Sequence, residues 1–297
     1  MSNRREFLKQ TSLAIGGLSL TGLSNFSCSK GPIFKISLAQ WSLHREHFSK
    51  RLKLLDFPSK AKQTFGITAV EYVSTFFEGW EIDDKYVAEL KRITDYHGIT
   101  NVLIMVDGEG SLGAADKKER AEAVKNHHKW VEVAKFLGCH SIRVNARGSG
   151  SADELKLTAA DGLRSLSEFA KTQDMGVIVE NHGGLSSNGA WLASVMEEVG
   201  MDNCGTLPDF GNFKISETEE YDRYLGVKEL MPYAKGVSAK SHDFDSDGNE
   251  SNTDYDKMMK IVKKSGYRGH IGIEYEGNNH SEDEGIMLTK RLLEKYF

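Results

Sequence analysis

The chain is short of three things: it has four prolines, three cysteines and no surplus of positive charge, its formal net charge being −5 over 297 residues. So few prolines suit long regular elements joined by tight turns, which the 29 glycines can serve. So few cysteines argue against a disulfide framework. Cys139 and Cys204 each stand just before an apolar run and read as small buried residues. A protein that tracks nucleic-acid phosphates normally carries a basic stripe, so a nucleic-acid partner is not expected. The chain also lacks a G-x-G-x-x-G and a G-x-x-x-x-G-K-[ST] phosphate loop.

The first thirty residues read differently from the rest. Asn3-Arg4-Arg5-Glu6-Phe7-Leu8-Lys9, followed by the small and apolar run Thr11–Leu23, is expected to be a twin-arginine export signal occupying residues 1–30. The run is too short for a permanent membrane span. Cys28, followed by Ser29 and Lys30, is a candidate lipidated cysteine and the expected route to a membrane. These features point to an exported protein, periplasmic or anchored in the envelope.

From Phe34 onward, strand-like and helix-like patterns alternate. Candidate strands are Lys35–Trp41, Ala69–Val73, Asn101–Val106, Ser141–Asn145, Val177–Glu180, Gly205–Pro208, Gly236–Lys240 and His270–Glu274. Amphipathic stretches lie between them at Asp83–Tyr96, Ala115–Phe136, Ser151–Gln173, Ala190–Val199, Tyr224–Tyr233, Asp254–Lys264 and Glu282–Tyr296, with a further helix over Phe48–Thr64 interrupted near Pro58. Eight such units predict an α/β fold, a single (β/α)8 TIM barrel over residues 31–297. An open doubly wound sheet would usually carry a glycine-rich loop after its first strand. Gln40-Trp41-Ser42-Leu43-His44 stands there instead.

What the chain does have is polar side chains at the ends of these strands, where barrels do their chemistry. Four apolar runs, Val-Ile-Val-Glu180, Thr-Leu-Pro-Asp209, Val-Ser-Ala-Lys-Ser-His242 and Ile-Gly-Ile-Glu274, end in residues able to bind a metal. A carboxylate there is costly unless something offsets its charge. Trp41 and His44, Glu71, Asp107 and Glu109, Arg143 and Asn145, His182, Asn212, Lys240 and Glu276 complete the set. Arg143 has a structural alternative as the partner of Glu71 or Asp107, and His127-His128 reads as a solvated pair on a long helix. Asp243-Phe-Asp245-Ser-Asp247-Gly248 has part of a calcium-loop pattern but the wrong flanks, and reads as an acidic loop over the site.

The segments Val-Glu180-Asn-His182-Gly-Gly, Pro-Asp209-Phe-Gly-Asn212 and Gly-Ile-Glu274-Tyr-Glu276-Gly resemble the xylose-isomerase-like barrel superfamily of sugar isomerases and epimerases. The resemblance implies one divalent cation held by Glu180, Asp209, His242 and Glu274, manganese first, with magnesium, cobalt or zinc as alternatives. It implies Glu180 and Glu274 as the acid–base pair. Two positions depart from the pattern. Asn212 stands where many relatives have a histidine, and Ser238 falls where the strand-seven ligand histidine belongs. His242, of the same strand parity, is expected to supply that nitrogen from one pleat higher.

Mixed carboxylate and imidazole donors suit such ions, which polarise a sugar carbonyl and stabilise an enediolate after proton removal. The expected substrate-binding groups are His182, Arg143, Lys240, His44, Asn212, Trp41 and Glu276. The expected activity is metal-dependent isomerisation or epimerisation of a free or glycosidic sugar, since no Arg/Lys cluster calls for a phosphate. Elimination from a ketosugar, and an exported carbohydrate-binding protein without catalysis, are the alternatives. A homo-oligomer is left open.

Overall fold

The computed structural model describes residues 34–77 and 83–297, within a compact unit spanning Pro32–Phe297. The expected leader and Cys28 lie outside the described residues. Eight parallel strands form one sheet in the order β6-β5-β4-β3-β2-β1-β8-β7. They are β1 (Lys35–Ala39), β2 (Ala69–Val73), β3 (Thr100–Met105), β4 (Ser141–Val144), β5 (Gly176–Glu180), β6 (Cys204–Leu207), β7 (Val237–Ser241) and β8 (His270–Tyr275). The helices are α1 (His44–Phe48), α2 (Phe57–Phe65), α3 (Asp84–His97), α4 (Lys117–Leu137), α5 (Ala152–Thr172), α6 (Gly189–Val199), α7 (Arg223–Leu230), α8 (Tyr255–Lys264) and α9 (Glu282–Glu294). This is the expected (β/α)8 barrel.

Local chemistry sets the helix limits. Ser151 and Ser281 open α5 and α9 with reciprocal capping boxes to Glu154 and Glu284. Gly98 and Gly138, at φ of 61° and 87°, end α3 and α4 in the left-handed region that a side chain disfavours. One expectation changes here. Pro58 does not interrupt a helix but sits in the first turn of α2, where its missing N–H costs nothing. The break falls earlier, between α1 and α2.

The strands alternate between two apolar environments. One set of side chains packs outward against the helices in the main core. The other includes Ala39, Val73, Leu103, Met105, Ile178 and Leu207 and forms a smaller buried cluster on the alternate face, the barrel interior. Glu71 shares that interior. Its Oε1 accepts a hydrogen bond from Ser37 Oγ at 2.5 Å, and a Cβ added at Gly272 would lie 2.6 Å from its Oε2.

The ring closes irregularly between β6 and β7. Isolated parallel bridges join Thr206 to Ala234 and Asp209 to Ser238. Pro208, between them, offers no N–H to a ladder, but its carbonyl accepts Ser238 N–H at 2.9 Å. The seam therefore lies directly at two residues of the candidate site.

Candidate active site

One carboxylate oxygen from each of Glu180, Asp209 and Glu274 lies within 4.8 Å of the others, and all three side chains are buried. Glu180 ends β5, Glu274 is on β8, and Asp209 follows β6 in the loop. That loop is folded around its own carboxylate: Asp209 Oδ1 accepts the N–H groups of Gly211 and Asn212 at 2.7 and 2.8 Å. Asn181 Oδ1 accepts Asp209 N–H at 2.8 Å, and Asn212 Nδ2 donates to Glu180 Oε1 at 2.9 Å. Ser238 Oγ stands 2.7 Å from Asp209 Oδ2 and 2.9 Å from Glu274 Oε2. A hydroxyl carries one proton, so it cannot donate to two ionised carboxylates at once.

Two fixed cations adjoin the trio. Arg143 Nη1 is 3.1 Å from Asp107 Oδ1 and its Nε is 2.8 Å from Glu180 Oε2. That second approach is out of line for a hydrogen bond, which leaves Glu180 Oε2 without a donor. Lys240 Nζ lies 3.2 Å from Glu274, 3.2 Å from Glu276, 3.9 Å from Asp209 and 3.2 Å from Asn212 Oδ1. Burial pushes the Glu180 and Asp209 carboxyls up to about 7, against the pull of Arg143 and Lys240 respectively. Burial acts on Glu274 too, but Lys240 and Arg143 outweigh it and hold that carboxyl below its usual range.

The expected substrate groups divide. Trp41, Arg143, His182 and Glu276 line a cleft of about 80 Å³ together with Val73, Met105, Asp107 and Glu274. Trp41 Nε1 donates to Glu276 Oε1. His182 Nδ1 is 3.0 Å from Asn145 Oδ1, and burial together with Arg143 lowers its imidazole to about 4, so it is neutral at pH 7. His44 does not line the cleft; it stacks on Trp41 at 5.2 Å with Nδ1 against Trp41 carbonyl at 2.8 Å. Arg143 pairs with Asp107 rather than Glu71.

His242 stands apart from the clustered donors. β7 ends at Ser241, and the imidazole, beyond the strand and about a third exposed, is 4.0 Å from both Glu250 and Glu276. Ser238 occupies the strand-seven place between Asp209 and Glu274. The His127-His128 reading also changes: His127 is buried, with Nδ1 2.7 Å from Ala123 carbonyl, and His128 stacks on Phe169 at 3.6 Å. The Asp243–Gly248 loop is held by its own Asp245, whose carboxylate accepts Asp247 and Asn249 N–H groups at 2.9 Å.

The sequence profile of the xylose isomerase-like TIM barrel family matches residues 59–295. The chain belongs to that family. A stretch of 66 residues is 35% identical to the C-glycoside deglycosidase alpha subunit of Arthrobacter globiformis, covering 21% of this chain and 19% of that relative's length. The fold is shared with a D-tagatose 3-epimerase-like protein (TM-score 0.68, 18% identity, 89% of this chain and 97% of that one). It is shared too with a xylose isomerase-like TIM barrel protein from Mycobacterium smegmatis in complex with magnesium (TM-score 0.66, 14% identity, 88% and 96%).

The donors of this family member fit a small hard cation. Among the described residues, the permanent cations paired with Asp107, Glu180, Asp209, Glu274 and Glu276 are Arg143 and Lys240, so negative charge is in excess. An orphaned oxygen on Glu180 and a hydroxyl shared by two carboxylates add the same signal. Oxygen-only donors suit Mg²⁺ or Mn²⁺ better than thiolate-seeking ions. Ser238 and Asn181 were not among the expected site residues. In the sequence Ser238 is marked only as standing where a ligand histidine belongs, and its hydroxyl reaches two of the carboxylates from that place.

Proposed function

We infer that the protein is a sugar isomerase or epimerase that moves a proton on the carbon beside a carbonyl, at a site holding one divalent cation between Glu180, Asp209 and Glu274. The observation that carries this reading is the convergence of three buried carboxylates from separate strand ends, one oxygen of each within 4.8 Å of the others, beside the cleft lined by Arg143, His182 and Glu276. When bound, the ion would polarise the sugar carbonyl and offset the charge that builds on its oxygen.

The chain's own groups do the rest. Glu274 and Glu180 are the carboxylates suited to take a proton from the substrate carbon and return one. They stand on β8 and β5, three places apart in the ring, and so reach a substrate from two sides. Neutral His182 can donate to or accept from a hydroxyl, while Trp41 and Glu276 line the same cleft. Manganese is the first candidate ion. Export through residues 1–30, with or without a lipid at Cys28, is proposed alongside and rests on the sequence alone.

A second reading, elimination from a ketoglycoside, is favoured by two observations. One is the stretch shared with a C-glycoside deglycosidase subunit. The other is a larger cavity of about 440 Å³, lined by Phe77, Glu109, Lys129 and Trp130, which shares Asp107 with the cleft and gives a leaving group room. Both readings need the same proton removal. The test is NMR of Mn²⁺-loaded protein with ketohexoses and 3-ketoglycosides in D₂O. Deuterium entering beside the carbonyl with an epimer formed supports the first reading, and release of the aglycone supports the second. No exchange into either class would sink both.

A further inference from the structure

Lys240 is held in place more firmly than a loosely paired surface lysine. Its stem packs against Gly211, where an added Cβ would lie 2.9 Å from Cδ and 3.0 Å from Cγ. Its ammonium is buried among acceptors from two other strand ends. Two of those acceptors, Asp209 and Glu274, belong to the trio; the other two, Glu276 and Asn212, do not. A divalent ion sits about 2.0–2.6 Å from a carboxylate oxygen, inside the distance at which the ammonium now stands. The two positive charges would repel at such separation in a poorly solvated site.

We propose that Lys240 is a tethered counter-cation which occupies the charge of the trio until a divalent ion displaces it towards Glu276 and Asn212, so that Lys240 sets how tightly the ion is held. This rests on the divalent-cation reading above. Displacement asks little of the chain, because Glu276 and Asn212 already touch the ammonium and stay available when Glu274 and Asp209 are taken. Glu276 therefore serves as the resting place of the displaced charge. The inference gives two effects of opposite sign. Removing the ammonium tightens ion binding, and removing the charge of Glu276 weakens it, a reversal that a general loss of packing would not produce.

The test is titration of chelator-treated full-length protein with Mn²⁺ alone, reading free ion by electron paramagnetic resonance and checking each fold by circular dichroism. Lys240→Met is expected to bind ~10-fold more tightly or better, and Glu276→Gln several-fold more weakly than the natural protein. Glu276 is partly exposed, so that variant keeps the proposal open to refutation should Lys240→Met fail to fold. Equal affinities in all three proteins would remove the role of Lys240 and leave the divalent-cation reading standing. Binding by none of the three would overturn both.

Discussion

Ser238 and Asp209 are joined twice, by a backbone bridge that closes the barrel between β6 and β7 and by a 2.7 Å hydrogen bond from Ser238 Oγ to Asp209 Oδ2. Closure of the fold and assembly of the acidic trio thus fall on the same two residues. The same hydroxyl is 2.9 Å from Glu274 Oε2, so it links strands six, seven and eight.

Ser238→Ala should therefore cost more than a surface serine would. It removes the single proton that two buried carboxylates compete for, a loss on the order of 1–3 kcal/mol. The cost should be larger above pH 7, where both Asp209 and Glu274 are ionised. Urea unfolding at pH 6 and pH 8 checks this; equal and negligible losses at both would show that the hydroxyl is incidental.

Arg143 is the buried partner of Glu180 and Asp107. Arg143→Met leaves two carboxylates short of a counter-charge, and breaking a buried pair in this way costs about 3–5 kcal/mol. A fall in Tm of roughly 10 °C is expected. Arg143→Lys should recover part of it, since it returns the charge without the two-pronged reach.

Glu71 gives a second pH dependence, to which Glu274 and Glu180 add after burial itself. Burial pushes its carboxyl up to about 8, and its Oε2 has no hydrogen-bond partner. A folded-state affinity for protons above the unfolded one means that stability is fully present below about pH 4.5 and falls as pH rises towards 8. Glu71→Gln keeps an acceptor for Ser37 and has no charge to bury. Its stability relative to the natural protein should therefore rise by roughly 3–4 kcal/mol between pH 5 and pH 8.5. A pH-independent difference in denaturant midpoint would contradict this.

Glu180→Gln and Glu274→Gln should each slow exchange of substrate carbon-bound hydrogen with solvent by roughly 10²–10⁴-fold while leaving the fold intact. Deuterium incorporation followed by NMR reads this directly. Retention of natural exchange rates by either variant would remove that residue from the proton relay.

Most of the framework was legible because strands and helices impose different periods on apolar residues. Gly98 and Gly138 mark helix ends, and β2 runs over Ala69–Val73 as its apolar run suggested. Glu180, Asp209 and Glu274 could be picked out because a carboxylate at the end of a buried strand must be answered by something. What the sequence hid depends on packing between distant segments. The end of β7 at Ser241 left His242 outside the cluster, and Arg143 reaches Glu180 as well as the expected Asp107. His127 looked solvated because its neighbours on α4 are charged, yet it faces the core with Trp130 and Val131. Pro58 broke the helical pattern on paper while in fact opening α2.

The meeting of three acidic side chains around one positive centre is tested most directly by anomalous diffraction from crystals equilibrated with Mn²⁺. A single peak bonded to oxygens of Glu180, Asp209 and Glu274, with the Lys240 ammonium turned towards Glu276, is the expected outcome. Full chelator-resistant pairing of Lys240 with Glu274 and Asp209, and no manganese peak among the three carboxylates at saturating Mn²⁺, would show that the trio is an ion-pair network and not a metal centre.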